Sequence, residues 1–284
     1  MSHDSSNVAR PASAHADERG DHVVLDQVSR VFDMASGAAV HALGPVDFTL
    51  RRGEFFSVIG PSGCGKSTLL ECIAGLSAPS GGEVLFEGKK VCGQVPEGVG
   101  VVFQADASFP WLTVWDNVAF GLRRMRGMTS SVVRQRVDYA LSFMGLSGFA
   151  RAYPAQLSGG MRQRVCIART LVMQPRLILL DEPFGALDQQ TRLLMGDELL
   201  RLWRETGATI FLITHSLDEA AALSDRIGVM SARPGTLIDI VETGWSKDRD
   251  SSIAADPAFG GVTARLWSQL RVESMKSMGS GVAA

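Results

Sequence analysis

The sequence predicts an α/β fold whose largely parallel sheet carries an inserted helical lobe. Two short runs read as strands: Phe55–Ile59 is apolar but for Ser57, and residues 177–180 are apolar without interruption, as strands buried on both faces of a parallel sheet are. From residue 177 onward, strand patterns alternate with helical ones, the order that builds parallel sheets. Between 113 and about 170 the apolar residues recur at three- and four-residue steps, which marks the lobe as helical.

The elements follow in order. Residues 1–21 are polar, rich in Ser, Ala and Asp, and read as a disordered tail without the apolar centre of a secretory signal. Val-rich 23–32 and alternating 46–50 read as strands near a sheet edge. The strand Phe55–Ile59 runs straight into Gly60, and a helix is expected from Lys66 to about 76. Gly81-Gly82 reads as a turn, with strands at 84–86 and 99–103. Pro154 and the pair Gly159-Gly160 interrupt the helical stretch. Then come a strand at 177–180, a helix at about 190–206, a strand at 209–213, a helix at 217–223 and a strand at 227–230. The expected organisation is a tail at 1–21, a main domain at 22–245 with its helical lobe at about 105–170, and an extension at 246–284.

The 284 residues, 45% hydrophobic and 20% charged, suffice for a sizeable core. A net charge of −2 lacks the basic excess of a nucleic-acid binder, so no nucleic-acid partner is expected. Arg123, Arg124 and Arg126 read as a solvated helix face. No apolar run reaches 18 residues, so any work at a membrane requires other chains to carry the spans. Cys64, Cys72, Cys92 and Cys166 show no paired spacing and read as free thiols of a reducing cytoplasm.

Gly60-Pro61-Ser62-Gly63-Cys64-Gly65-Lys66-Ser67 fits the pattern of two glycines five positions apart followed by Lys and Ser or Thr. Its glycines let backbone N–H groups curl around phosphate oxygens, and the helix that follows points its positive end at the anion. Lys66 is then placed for the β- and γ-phosphates of ATP and the Ser67 hydroxyl for Mg²⁺. Cys64, near a helix N-terminus, is open to two readings, a redox-sensitive thiol or an inert small residue. Residues 177–180 are followed by Asp181-Glu182, carboxylates at a strand end that faces the ligand crevice. Asp181 suits Mg²⁺, and Glu182 suits the proton of an attacking water. Upstream, Leu157-Ser158-Gly159-Gly160-Met161-Arg162-Gln163 opens a helix with two glycines and makes a second anion-binding terminus.

With these motifs the sequence resembles the ATP-binding cassette family over about residues 22–245. Leu157 to Arg164 is very close to that family's signature, and the other marks follow in family order: Gln104 after a strand, the acidic strand end at Asp181-Glu182, Gly185-Ala186-Leu187-Asp188, and Thr214-His215. The resemblance implies a P-loop NTPase core of RecA-like type with an antiparallel β subdomain. It implies a head-to-tail dimer in which ATP lies between the phosphate loop of one copy (Gly60 to Thr68) and Ser158, Gly159 and Gly160 of the other. It also implies that Gln104 senses Mg²⁺ and the water, that His215 contacts the γ-phosphate, and that Asp188 couples the two sites. Phe32 matches where the family stacks an aromatic on adenine, with core packing as the other reading.

Several stretches are similar to the cassettes of nitrate, sulfonate and taurine importers: 109–118, 181–188, Met230-Ser231-Ala232-Arg233-Pro234-Gly235, and Asp256-Pro257-Ala258-Phe259 before a short helical stretch. That likeness implies an ATPase at the cytoplasmic face of the membrane. It would work with a separate transmembrane permease and, indirectly, a periplasmic or lipid-anchored solute-binding protein. Other cargoes, such as a thiamine precursor or a metal, and a soluble cassette protein outside transport are the alternatives. Residues 244–250 lack the usual proline- and arginine-rich run, Ser216 stands where Asp or Glu is frequent, and Val165-Cys166 replaces a commoner small pair. Phe109, Trp111 and Trp115 are large apolar groups for a loop and helix start, and they read as a permease-facing surface or as packing within the lobe.

Overall fold

A long antiparallel hairpin, β1 (Asp21–Asp33) with β2 (Ala39–Arg51), opens the chain in the computed structural model, which describes residues 20–34, 37–104, 107–185 and 187–280. The expected tail lies outside those residues except for its last two, and so does Ala186. After the hairpin comes β3 (Phe55–Ile59), which runs into helix α1 (Lys66–Ala74). β4 (Gly81–Phe86) and the two-residue β5 (Lys89–Lys90) return to the hairpin and complete an antiparallel sheet in the order β2-β1-β4-β5. β6 (Val99–Val102) leads into the lobe, helices α2 (Val114–Leu122), α3 (Ser130–Phe143) and α4 (Gly159–Leu171). Next come β7 (Leu177–Asp181), α5 (Gln189–Thr206), β8 (Thr209–Ile213), α6 (Leu217–Leu223) and β9 (Arg226–Met230). The described residues end with β10 (Leu237–Glu242) and α7 (Pro257–Ser280). The second sheet has the order β10-β9-β3-β8-β7-β6 and is parallel but for β10.

The apolar strands are explained by what lies on either side of them. Phe55, Ile178, Leu180, Ile210 and Leu212 pack toward the lobe and α5, while Phe56, Val58, Leu177, Leu179, Phe211 and Ile213 pack toward α1 and the antiparallel sheet. Alternate side chains of one strand thus enter two different cores. Parallel rings join the two sheets, with Phe48 stacked on Phe56 at 5.2 Å and Phe56 near Phe211 at 6.1 Å. In the other core Trp203 meets Phe55 edge-on at 5.8 Å and donates its indole N–H to the Gly53 carbonyl at 3.2 Å.

Three expectations need correction. Gly81-Gly82 is the start of β4 and not a turn. Gly82 sits at φ 73° opposite a register break between Asp26 and Ser29, where a Cβ would come within 2.3 Å of the Asp26 carbonyl oxygen. The pair therefore marks a bulge, a use of glycine that looks like a turn in sequence. The hairpin strands form their own sheet, where β2 lies at the edge as expected but β1 lies in the interior. The short helical stretch after Asp256 is a 24-residue helix. Its interior Gly260-Gly261 weakens the helical pattern, and docking overrides that weakness. Phe259 and Leu266 are buried against α6 and β9, and Asp239 accepts from Arg265 at 2.7 Å and Gln269 at 2.6 Å. The segment before it is anchored by Arg249, whose buried guanidinium donates to the Leu223 carbonyl and pairs with Asp225 at 2.9 Å. The basic cluster lies at and beyond the end of α2, where Arg123 pairs with Asp116 and Arg124 covers the Phe120 ring.

Trp203→Ala should cost about 3–5 kcal/mol of unfolding free energy by urea titration, because the ring is fully buried and its donor is satisfied. A loss under about 1 kcal/mol would mean that the core is not organised around it.

Candidate nucleotide site

Four neighbouring parallel strands, in the order β3-β8-β7-β6, end side by side, and each delivers its next residues to the same edge of the sheet. β3 delivers Gly60 to Ser67, β8 delivers Thr214 and His215, β7 ends on Asp181 before Glu182, and β6 precedes Gln104. The carboxyl ends of parallel strands are where such folds hold ligands. A cleft of about 290 Å³ opens there, lined by Ser62, Gly63, Gly65, Lys66, Ser67, Thr68, Gln104, Glu182 and His215.

The phosphate loop carries a surplus of positive character. Gly63 and Gly65 take left-handed φ values of 71° and 108°, and a Cβ on Gly65 would sit 2.7 Å from the Ala42 carbonyl oxygen. α1 starts with neither a side-chain cap nor an acidic residue in its first turn, so its N–H groups and dipole are uncompensated. Lys66 is 8% exposed, and its ammonium donates to the Gly60 and Pro61 carbonyls at 2.9 Å each. Among the described residues no carboxylate lies within ion-pair distance of it.

The acidic side faces this surplus. Burial pushes the Asp181 carboxyl above the usual carboxylate range, against the pull of a hydrogen bond from the Ser67 hydroxyl. Its Oδ1 is buried without a partner among the described residues. An orphaned carboxylate oxygen beside a hydroxyl is a hard-oxygen donor set that fits Mg²⁺. Glu182 stands at φ 45°, left-handed for a non-glycine residue, a kind of strain that concentrates at functional positions. Its Oε2 accepts from Gln104 Nε2 at 2.9 Å and faces His215 Nδ1 at 3.4 Å. Ser216 caps α6, accepting from the Glu219 N–H at 3.3 Å.

Other expected residues lie outside the cleft. Ser158 caps α4 and accepts from Met161 N–H at 3.3 Å, with Gly159 and Gly160 in the helix's first turn. Asp188 caps α5 through Thr191. None of these four lines the pocket, and neither does Phe32. The Phe32 ring is half-buried under Arg30 at 4.6 Å and belongs to none of the three cores, so core packing is not its role. Ala42 and Arg233 line the cleft without having been expected there. Ala42 carries no chemical signal in sequence, and Arg233 stood out only as part of the stretch from Met230 to Gly235. Trp115 packs on the lobe core and donates to Asp138 at 2.9 Å, while Trp111 is 70% exposed.

Cys64 is not an activated thiol. It is 1% exposed, and burial raises its pKa more than the nearby Lys66 lowers it. Burial also pushes Cys72 up to about 11.

A polyanion is the ligand whose charge answers this surplus, and the fold around it is that of a P-loop ATPase with an antiparallel subdomain and a helical lobe. The family model described as ABC transporter matches residues 43–185. An uncharacterised ABC transporter ATP-binding protein of Methanocaldococcus jannaschii is 46% identical over 229 residues, 80% of this chain and 84% of that protein. The taurine import ATP-binding protein of Ruegeria pomeroyi is 48% identical over 213 residues, 75% of this chain and 79% of the relative. The aliphatic sulfonates import ATP-binding protein of Bacillus thuringiensis is 41% identical, covering 81% and 89%. A dimeric ATP-binding cassette solved in a post-hydrolysis state with ADP and phosphate superposes with a TM-score of 0.71 at 33% identity, covering 79% of this chain and all of that one. The chain belongs to the ABC transporter family, as one of its ATP-binding cassettes.

A thiol reagent at neutral pH should label exposed Cys92 and leave Cys64 and Cys72 unmodified in the folded protein. Labelling of Cys64 at the rate of Cys92 would contradict its burial.

Proposed function

We propose that this chain is the ATP-hydrolysing subunit of an importer for a small anion or organosulfur compound, working at the cytoplasmic face of a membrane through a separate permease. The observation that carries the ATPase part is the buried Lys66 ammonium. It lies at an uncapped helix start with only neutral acceptors, across from the Glu182, Gln104 and His215 cluster. The proposed nucleotide-binding unit is residues 22–245 with its lobe at about 105–170, and 246–284 is the extension.

In this reading Gly60 to Thr68 cradle the triphosphate with backbone N–H groups and Lys66. Ser67, Asp181 and Gln104 hold Mg²⁺, which when bound neutralises charge on the phosphates. Glu182 takes the proton of the attacking water, and Gln104 orients its carboxylate. His215 contacts the γ-phosphate from the neighbouring strand end. Phe32 stacks on the adenine, consistent with a half-buried ring outside the cores.

Ser158, Gly159 and Gly160 open α4 away from the cleft of their own chain, which favours a site completed by the second copy in a head-to-tail pair, with Asp188 between the two sites. No helix among the described residues is long and apolar enough to cross a membrane, and the reading assigns the spans to the permease. A groove of about 410 Å³ between the β6 edge and the lobe, lined in part by Phe109, Phe120 and Met173, would receive the permease beside exposed Trp111. The organosulfur cargo follows from the names of the taurine and sulfonate relatives, and a periplasmic or lipid-anchored binding protein would deliver it.

Glu182→Gln should keep ATP binding and lower turnover by about 10²–10⁴-fold, since the water loses its base. Unchanged turnover in a steady-state phosphate-release assay would refute the assignment. Ser158→Ala should leave one-copy nucleotide binding intact and reduce ATP-dependent pairing, measured by light scattering. Normal pairing and hydrolysis would refute the shared site.

A further inference from the structure

The turn between β9 and β10, residues 231–236, is clamped on three sides against the phosphate loop. Gly235 N–H donates to the Ala42 carbonyl at 3.1 Å, and the Gly235 carbonyl accepts from Gly44 N–H at 2.9 Å, which ties the turn to β2. Gly235 lies so close to the phosphate loop that a Cβ there would stand 2.0 Å from the Cys64 carbonyl oxygen. On the third side the Glu273 carboxylate of α7, 5% exposed, accepts from Ala232 N–H at 2.9 Å, and Lys276 pairs with the same carboxylate at 2.6 Å. The turn thus holds the exposed Arg233 side chain at the mouth of the cleft that Lys66 and Ser67 line.

Arg233 donates Nε to the Gly63 carbonyl at 3.0 Å. Among the described residues its two terminal nitrogens have no partner, and no carboxylate pairs with it. A guanidinium fixed by one bond to the phosphate loop and left uncompensated is arranged to donate to an anion in the cleft. We propose that Arg233 is a phosphate-contacting residue of the ATP site and that α7 sets its position through Glu273. This rests on the assignment of ATP to the loop at Gly60 to Ser67. It gives the C-terminal extension a task in nucleotide binding.

Titration of the full chain with ATP and with ADP tests both halves. Arg233→Ala should weaken ATP binding about tenfold and ADP binding by less, because ADP carries less charge. Arg233→Lys should recover part of the loss. Glu273→Ala should weaken ATP binding in the same direction, and Glu273→Gln, which keeps an acceptor for Ala232, should restore it. Arg233→Ala with ATP affinity within about twofold of the parent, or with equal losses for ATP and ADP, overturns the phosphate contact. Full affinity in Glu273→Ala overturns the role of α7. Lys66→Ala separates this inference from the one beneath it. If Lys66→Ala loses affinity while Arg233→Ala does not, only the Arg233 contact fails. If Lys66→Ala binds ATP normally, the nucleotide site itself is misassigned.

Discussion

A buried ammonium without a carboxylate sets the terms for the rest of the molecule. Lys66 rests on two carbonyls of its own loop, at the head of a helix whose first N–H groups have no cap. Such a charge is tolerated in a folded protein when a ligand of opposite sign supplies the missing partner. The glycines at 60, 63 and 65 bring the backbone close enough to add N–H donors to the same concavity. Every other element at the cleft is positioned relative to that charge.

The parallel sheet does the positioning. Its strands carry side chains into two cores at once, so their registers are fixed on both faces. Asp181 pairs with Ile213 in register, which sets Glu182 and His215 on adjacent strand ends within 3.4 Å. The left-handed backbone at Glu182 is held by its N–H bond to the Ile213 carbonyl and by the Gly185 N–H on its own carbonyl. Rigidity around the cleft keeps an amide and an imidazole converging on one carboxylate oxygen.

The signature at the start of α4 does not line the cleft of its own chain. Ser158 and Asp188 spend their side chains on capping helices, and their exposed helix starts point elsewhere than the cleft of their own chain. In the proposed reading, chemistry depends on contact between copies, and that contact is where a permease would exert control. The C-terminal segment reaches the β9–β10 turn beside the cleft, where Glu273 of α7 accepts from Ala232 N–H.

The sequence by itself determined the ATPase core. The spacing from Gly60 to Ser67, the apolar runs that end at Gly60 and Asp181, and the order of Gln104, the signature and His215 are local patterns. Local backbone chemistry is what residue types encode directly. Helix and strand limits such as Thr209–Ile213 and Leu217–Leu223 were legible for the same reason. The tertiary structure alone decided the rest. Gly82 serves a bulge because a strand distant in sequence passes within contact, and α7 is long because Phe259, Leu266 and Glu273 find partners far from them in the chain. Cys64 is inert because of what buries it, and Arg233 reaches the cleft because a turn some 170 residues downstream folds onto the phosphate loop. Those outcomes depend on which surfaces meet, and long-range contact leaves no periodicity in a single sequence.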